Sequence, residues 1–213
     1  MTEKIAMKTL TKEMQQKITP DMAFDLLKEG NKRFVSNLHA NRNLLQQANE
    51  TSDGQHPFAI ILSCIDSRTS AELIFDQGLG DIFSVRIAGN IVNEDILGSM
   101  EFACKVAGSK IIVVLGHSKC GAVMGACNHV EMGNLTPLLA KIRPSIDDEK
   151  TITDDRTADN PEFVEKVTKV NVKRVMKDIV ERSPIIKEML ENNEISIIGG
   201  YHELSTGKVT FEL

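Results

Sequence analysis

The stretch LGHSKCGAV (115–123) sets a histidine and a cysteine three residues apart, His117 and Cys120, directly after the apolar run IIVVL. Alone, such a pair is half of a metal site, a thiol beside a base, or two unrelated residues in a turn. A second apolar run, FAIIL (58–62), leads into SCIDSR, which carries Cys64, Asp66 and Arg68. In an open parallel sheet, ligands bind in the crevice beyond the carboxyl ends of the strands. If these two runs are neighbouring strands, Cys64, His117 and Cys120 converge there. Two thiolates and one imidazole are a strong zinc set, and three protein ligands leave a fourth position open, as a catalytic zinc requires. The ligands come as one plus two. That spacing describes a site built on a fold, whereas zinc ribbons and fingers show paired CxxC motifs and are folded by the metal.

Asp66 lies two residues past Cys64, so its carboxylate reaches either the metal or whatever occupies the fourth position. Arg68, two further on, can grip that carboxylate with a two-pronged hydrogen bond, keeping it ionised and fixing its direction. An ionised Asp66 would then accept a hydrogen bond from a zinc-bound hydroxide and orient it. Other candidates are weaker. Cys104 and Cys127 lie on helical patterns and read as core. His39, His56 and His129 have no partner motif and read as surface. His202 follows a strand end and is a candidate proton shuttle. Lys119 reads as solvent-facing, and GNIVNEDILG as a weak anion-binding pattern.

The elements that must position these residues alternate along the chain. Short runs rich in β-branched residues are FAIIL (58–62), IFSVRI (82–87), KIIVVL (110–115) and ISIIGG (195–200), and KVTFEL closes the chain with edge-strand alternation;. The first runs are apolar on both faces, as strands between two helical layers must be. Helix starts are marked by Thr19–Pro20, Asn160–Pro161 and Ser183–Pro184;. In the first of these helices Ala23, Leu26, Leu27 and Phe34 share a face. The expectation is one α/β domain over residues 1–213: a mostly parallel central sheet of four to five strands flanked by helices, with an N-terminal helical arm (1–37). Residues 143–160, polar and acidic, are expected to form a solvated surface loop.

At this point SCIDSR and GHSKCGAV resemble the paired signature C-x-D-x-R and H-x-x-C of the β-class carbonic anhydrases. The connecting segment AELIFDQGLGDIFSVRIAGN (71–90) and the closing hairpin YHELSTGKVTFEL are also similar to that family. The resemblance implies one Zn2+ per subunit on Cys64, His117 and Cys120, an Asp66–Arg68 catalytic dyad, and reversible hydration of CO2 to bicarbonate. It implies that Gln77 hydrogen-bonds substrate across a dimer interface, and that the protein is a homodimer or a dimer of dimers. Gly121 is expected to let backbone N–H groups approach bicarbonate. In a closed form of the family's site, Asp66 itself would be the fourth ligand. A tryptophan three residues before the first cysteine, part of an inhibitory bicarbonate site in a subgroup, is replaced here by Ile61, so that site is not expected.

Composition narrows the rivals. The 213 residues carry a formal net charge of −5, which argues against nucleic acid as a partner;. No apolar run reaches the ~20 residues of a membrane span, and the N-terminus lacks a signal-type apolar core, so a cytoplasmic protein is expected. Four cysteines are too few for a disulfide scaffold;. The competing functions are a hydrolase of a CO2 analogue, carbonyl sulfide or carbon disulfide, and a non-catalytic zinc-binding or redox-sensing protein. An intact Asp66–Arg68 pair argues against the second, since a structural zinc has no use for it.

Overall fold

The computed structural model describes residues 9–211. The start of the expected arm (1–8) and the last two residues of KVTFEL lie outside them. Five strands form one sheet: β1 (Ala59–Ser63), β2 (Ile82–Arg86), β3 (Ile111–His117), β4 (Ser196–His202) and β5 (Val209–Thr210). Their order is β2-β1-β3-β4-β5, with every pair parallel except β4–β5. The chain leaves β1 towards one side to make β2, then crosses back to build β3 on the other. The carboxyl ends of β1 and β3 therefore flank the point where the winding reverses, and the crevice opens there.

The described helices are α1 (Lys12–Gln15), α2 (Pro20–Val35), α3 (Leu44–Glu50), α4 (Ala71–Ile74), α5 (Glu94–Glu101), α6 (Gly121–Cys127), α7 (Leu135–Ala140), α8 (Arg143–Asp148), α9 (Pro161–Arg182) and α10 (Pro184–Glu191). The three expected starts are made as read. Thr19, Asn160 and Ser183 each accept a hydrogen bond from a first-turn N–H, and each is followed by proline;.

Strand alternation divides the core into two layers. Ala59, Ile61, Ile111, Val113 and Leu115 point to one face, against Leu26 and Leu27 of α2 and Phe75. Ile60, Leu62, Ile112 and Val114 point to the other, against Met100 of α5 and Val172, Val175 and Ile179 of α9. The helix read as part of an N-terminal arm thus gives its apolar face to the chain's own sheet. α9 approaches β3 closely because residue 116 is glycine: a Cβ there would sit 2.8 Å from Val172 Cγ2 and 3.0 Å from Thr168 Cγ2.

Two expectations change. β3 and β4 each run two residues past the apolar runs that announced them, ending at the paired His117 and His202. The ladder continues because both histidines are buried, where their backbone groups still need partners;. Residues 143–160 are not simply a solvated loop. They begin with α8, which buries Ser145 and Ile146, and continue into a turn closed by the buried Glu149. Its carboxylate accepts from the Thr151 N–H, the Ile152 N–H and Arg156. The acidic composition hid one carboxylate that is a structural acceptor. Among the described residues no helix is long and apolar enough to cross a membrane.

Candidate metal centre and catalytic dyad

Register brings the three soft donors together. Ser63 of β1 lies opposite Leu115 of β3, so Cys64, the next residue, meets the end of β3 where His117 sits. The chain then turns sharply through Lys119, whose left-handed φ of 55° returns Cys120 to the strand ends as the residue that opens α6. Lysine has no preference for that conformation. Its side chain faces solvent, as expected, but its backbone makes the turn.

The donor atoms of Cys64, His117 and Cys120 all lie within 4.8 Å of one another, and all three residues are buried. Among the described residues no other group of histidine, cysteine or acidic side chains does this. Two sulfurs on a tetrahedral zinc stand about 3.8 Å apart, given Zn–S of about 2.3 Å; here Sγ–Sγ is 4.0 Å. The His117 ring is also set for the task. Nδ1 stands 2.9 Å from the Ser118 carbonyl oxygen, which can only accept, so Nδ1 carries the proton;. Nε2 keeps its lone pair, and it is buried with no hydrogen-bond partner. A buried orphan nitrogen facing two thiols is what a soft cation would satisfy.

The thiols are electrostatically linked. The Cys64 thiol ionises well below its usual range because the Cys120 thiol donates to it; burial opposes this, and the Gly89 N–H assists. The Cys120 thiol is pushed up by that same partner and by burial. One proton is therefore held between two sulfurs, and a cation is what releases it.

Asp66 is held outside this group of three. Arg68 donates to it from Nε (2.9 Å, to Oδ1) and from Nη2 (2.7 Å, to Oδ2), and the Arg68 N–H adds a third bond to Oδ1. These hydrogen bonds hold the Asp66 carboxyl below the ordinary carboxylate range. The loop beneath it is fixed by residues the sequence reading passed over. Arg86 donates to the carbonyls of Cys64 and Asp66 (3.1 and 2.6 Å), and the Thr69 hydroxyl donates to the same two (3.1 and 2.9 Å). Ser118 likewise ties the His117 turn to the β4–β5 turn, donating to Glu203 and accepting from the Leu204 N–H, both at 2.9 Å. No motif announces these contacts; the only signal was polar residues clustered just past strand ends.

The remaining candidates separate. Gln77 turns back on its own chain, its amide donating to the Phe75 carbonyl and making no hydrogen bond to Asp66 or Arg68. Gly121 has no atom within 4 Å of where a Cβ would sit. His202 is buried beside the end of β3, with neither ring nitrogen partnered; burial lowers it to about 4. It borders a cavity of about 400 Å3 shared with Arg68 and His39. Cys104 and Cys127 are core residues, their thiols raised by burial. His129 is exposed and His56 partly so, while the half-exposed His39 stands 3.6 Å from Asp76. The GNIVNEDILG pattern resolves into a helix cap, Asn93 accepting from the Ile96 N–H.

Comparison with known proteins agrees with this geometry. A family model described as carbonic anhydrase matches residues 59–209. Carbonic anhydrase 2 of Mycobacterium tuberculosis is 35% identical over 196 residues, spanning 89% of this chain and 91% of its own. The carbonic anhydrase of Mycolicibacterium smegmatis is 34% identical over 197 residues, spanning 89% and 92%. Among solved structures, a tetrameric β-carbonic anhydrase of Sordaria macrospora superposes with a TM-score of 0.68 at 25% identity, covering 77% of this chain and 84% of its own. With the family match running from the first residue of β1 to the first residue of β5, the chain belongs to the carbonic anhydrase family, in its β class.

Proposed function

We propose that this protein catalyses the reversible hydration of CO2 to bicarbonate and a proton, with one Zn2+ per subunit held by Cys64, His117 and Cys120. The observation that carries the reading is a division of labour: three soft donors face one another while the nearby carboxylate is committed to an arginine. Zinc at such a site supplies Lewis acidity that brings the ionisation of water near neutrality. The chain does the rest. Arg68 keeps Asp66 ionised and spends three of the carboxylate's roughly four lone-pair directions, leaving one on Oδ2 to accept from the attacking water. That arrangement favours an open fourth position over one filled by Asp66. Arg86 and Thr69 prevent the base from moving relative to Cys64. The open space over Gly121 leaves room for a small anion at the start of α6;. A substrate contact from Gln77 would require its amide to leave the Phe75 carbonyl, and we assign it none within one chain.

A homodimer or dimer of dimers is part of this proposal. Leu45, Leu73, Ile65, Leu44 and Leu79 are all large, apolar and exposed, and the α3 and Leu79 segments are bonded together through Gln47. Burying these side chains against a second copy would support that assembly.

The test is zinc content by mass spectrometry with stopped-flow hydration of CO2, carbonyl sulfide and carbon disulfide being run on the same sample. Cys120→Ala should lose zinc and activity together. Asp66→Asn should keep zinc and lose activity by about 10²-fold or more. Stoichiometric zinc without CO2 hydration at pH 7 or 9 would sink the proposal, and undiminished turnover in the Asp66 variant would remove that residue from the mechanism.

A further inference from the structure

α9 carries a buried stripe of Phe163, Val164, Val167, Val172, Val175 and Ile179, broken by two polar residues: Thr168, whose hydroxyl bonds back to the Val164 carbonyl of its own helix, and Asn171, which reaches outside it. Asn171 is 1% exposed, so both ends of its amide need partners;. Its Nδ2 donates to the Gly89 carbonyl at 3.0 Å, and its Oδ1 accepts from the Ser145 hydroxyl at 3.2 Å. Gly89 in turn donates its N–H to Cys64 Sγ at 3.4 Å. A polar chain therefore runs Ser145–Asn171–Gly89–Cys64, joining α8, α9 and the turn after β2 to the first thiol of the site.

The two thiols are placed differently. Cys120 opens α6 and is carried by its own helix. The Gly89 donor to Cys64 lies 25 residues away in sequence, in a turn tied at its start to the Cys64 segment, where the Ile87 N–H donates to the Ser63 carbonyl and Arg86 to the Cys64 carbonyl, and braced at the Gly89 carbonyl by Asn171. Gly89 has a φ of 68°, and a Cβ there would stand 2.6 Å from Ile142 Cδ1. Glycine permits the turn; the Asn90 N–H bond to the Ile87 carbonyl and the Asn171 bond to the Gly89 carbonyl together hold the peptide that follows Gly89.

We propose that Asn171 is a positioning residue for the Cys64 thiolate: by holding the carbonyl of the 89–90 peptide it helps fix the backbone angles at Gly89, and through them the direction of the Gly89 N–H, which belongs to the preceding peptide and meets the sulfur. This rests on the reading of Cys64 as a metal ligand. An N–H donated to a thiolate withdraws charge from sulfur, so the ligand gives less to the ion it binds and the ion stays a stronger Lewis acid. In a site with two thiolates, which together donate heavily, that correction acts directly on the chemistry.

The test uses Cd2+ and Co2+ as probes. In wild-type protein loaded with cadmium-113, the Gly89 amide proton should be shifted downfield and coupled to the metal through the N–H···S contact. An ordinary shift without coupling overturns the inference with no mutation made, so it is decided even if the variants do not fold. Asn171→Leu and Asn171→Asp should each bind one Co2+, with sulfur-to-cobalt charge-transfer bands moved to lower energy and release to a chelator about 10-fold faster or more. Ser145→Ala should move both readouts in the same direction by less. Folded Asn171 variants with wild-type bands and release overturn the proposal. Wild-type protein that takes up neither ion overturns the metal-site reading, and this inference with it.

Discussion

Gly116 precedes His117 and lies under α9, and replacing it with alanine tests how tightly the helix sets the site. The φ of Gly116 is not among the positive ones, so alanine meets no backbone conflict; the whole effect is steric. The added methyl would stand 2.8 Å from Val172 Cγ2 and 3.0 Å from Thr168 Cγ2, against an optimum of about 3.5–4.0 Å between carbons. Neither neighbour yields easily. Both are β-branched and buried, and the Thr168 hydroxyl is bonded to the Val164 carbonyl at 2.8 Å;. Overpacking of this kind costs about 1–3 kcal/mol, and losing a glycine returns roughly 0.4–1 kcal/mol through the unfolded chain. The expected net loss is about 1–2 kcal/mol, or a Tm lower by roughly 2–8 °C for a chain of this size. The assay is urea and thermal unfolding of the metal-loaded protein at fixed protomer concentration. Because α9 also carries Asn171, faster zinc release should accompany the loss. Unchanged or increased stability in Gly116→Ala would show that α9 is free to back away, and would refute the reasoning.

Gly121→Ala is the contrasting case: the space around its Cβ is open, so stability should hold or rise by up to ~1 kcal/mol, while a fall in kcat/KM would locate substrate at the start of α6. Asp81 is buried and raised to about 6 by that burial, with the Gly78 N–H as its partner. Below about 4 both states hold the proton; between about 4 and 6 only the folded state does, so stability falls as pH rises through this window. Asp81→Asn should abolish that fall and gain about 2–3 kcal/mol at pH 7, and a wild-type pH–stability slope retained in the variant would contradict it. Glu149→Ala removes the acceptor that closes the 149–156 turn. Limited proteolysis should then cut between residues 150 and 160 much faster than in wild type, whereas equal rates would mean the segment was a free loop from the start.

The fold was legible wherever one periodicity ruled a whole segment. The runs around Ile60 and Val113 had to be buried on both faces, and the Thr19, Asn160 and Ser183 starts combine a capping oxygen with proline. The strand ends were misplaced because His117 and His202 continue a hydrogen-bond ladder that hydrophobicity does not report. Residues 143–160 were misread for a related reason. Composition gives the mean environment of a segment, and Glu149 is the exception that closes its turn. In the site, Cys64, Asp66, Arg68, His117 and Cys120 were legible because their chemistry is rare and their order fixed. Asn171, Arg86 and Thr69 were not, because each acts through a backbone group distant in sequence.

The sequence by itself determined which atoms are available: two thiols, an imidazole and an Asp–Arg pair, each placed just past a strand. It could not determine that β1 and β3 are neighbours, since that depends on β2 being wound to the outside. Only the tertiary structure decided this, together with the commitment of Asp66 to Arg68 and of the His117 Nδ1 to the Ser118 carbonyl. Residue type sets what a group can donate or accept; packing of distant segments sets which of its lone pairs remains free, and the chemistry of the site is done by those that do.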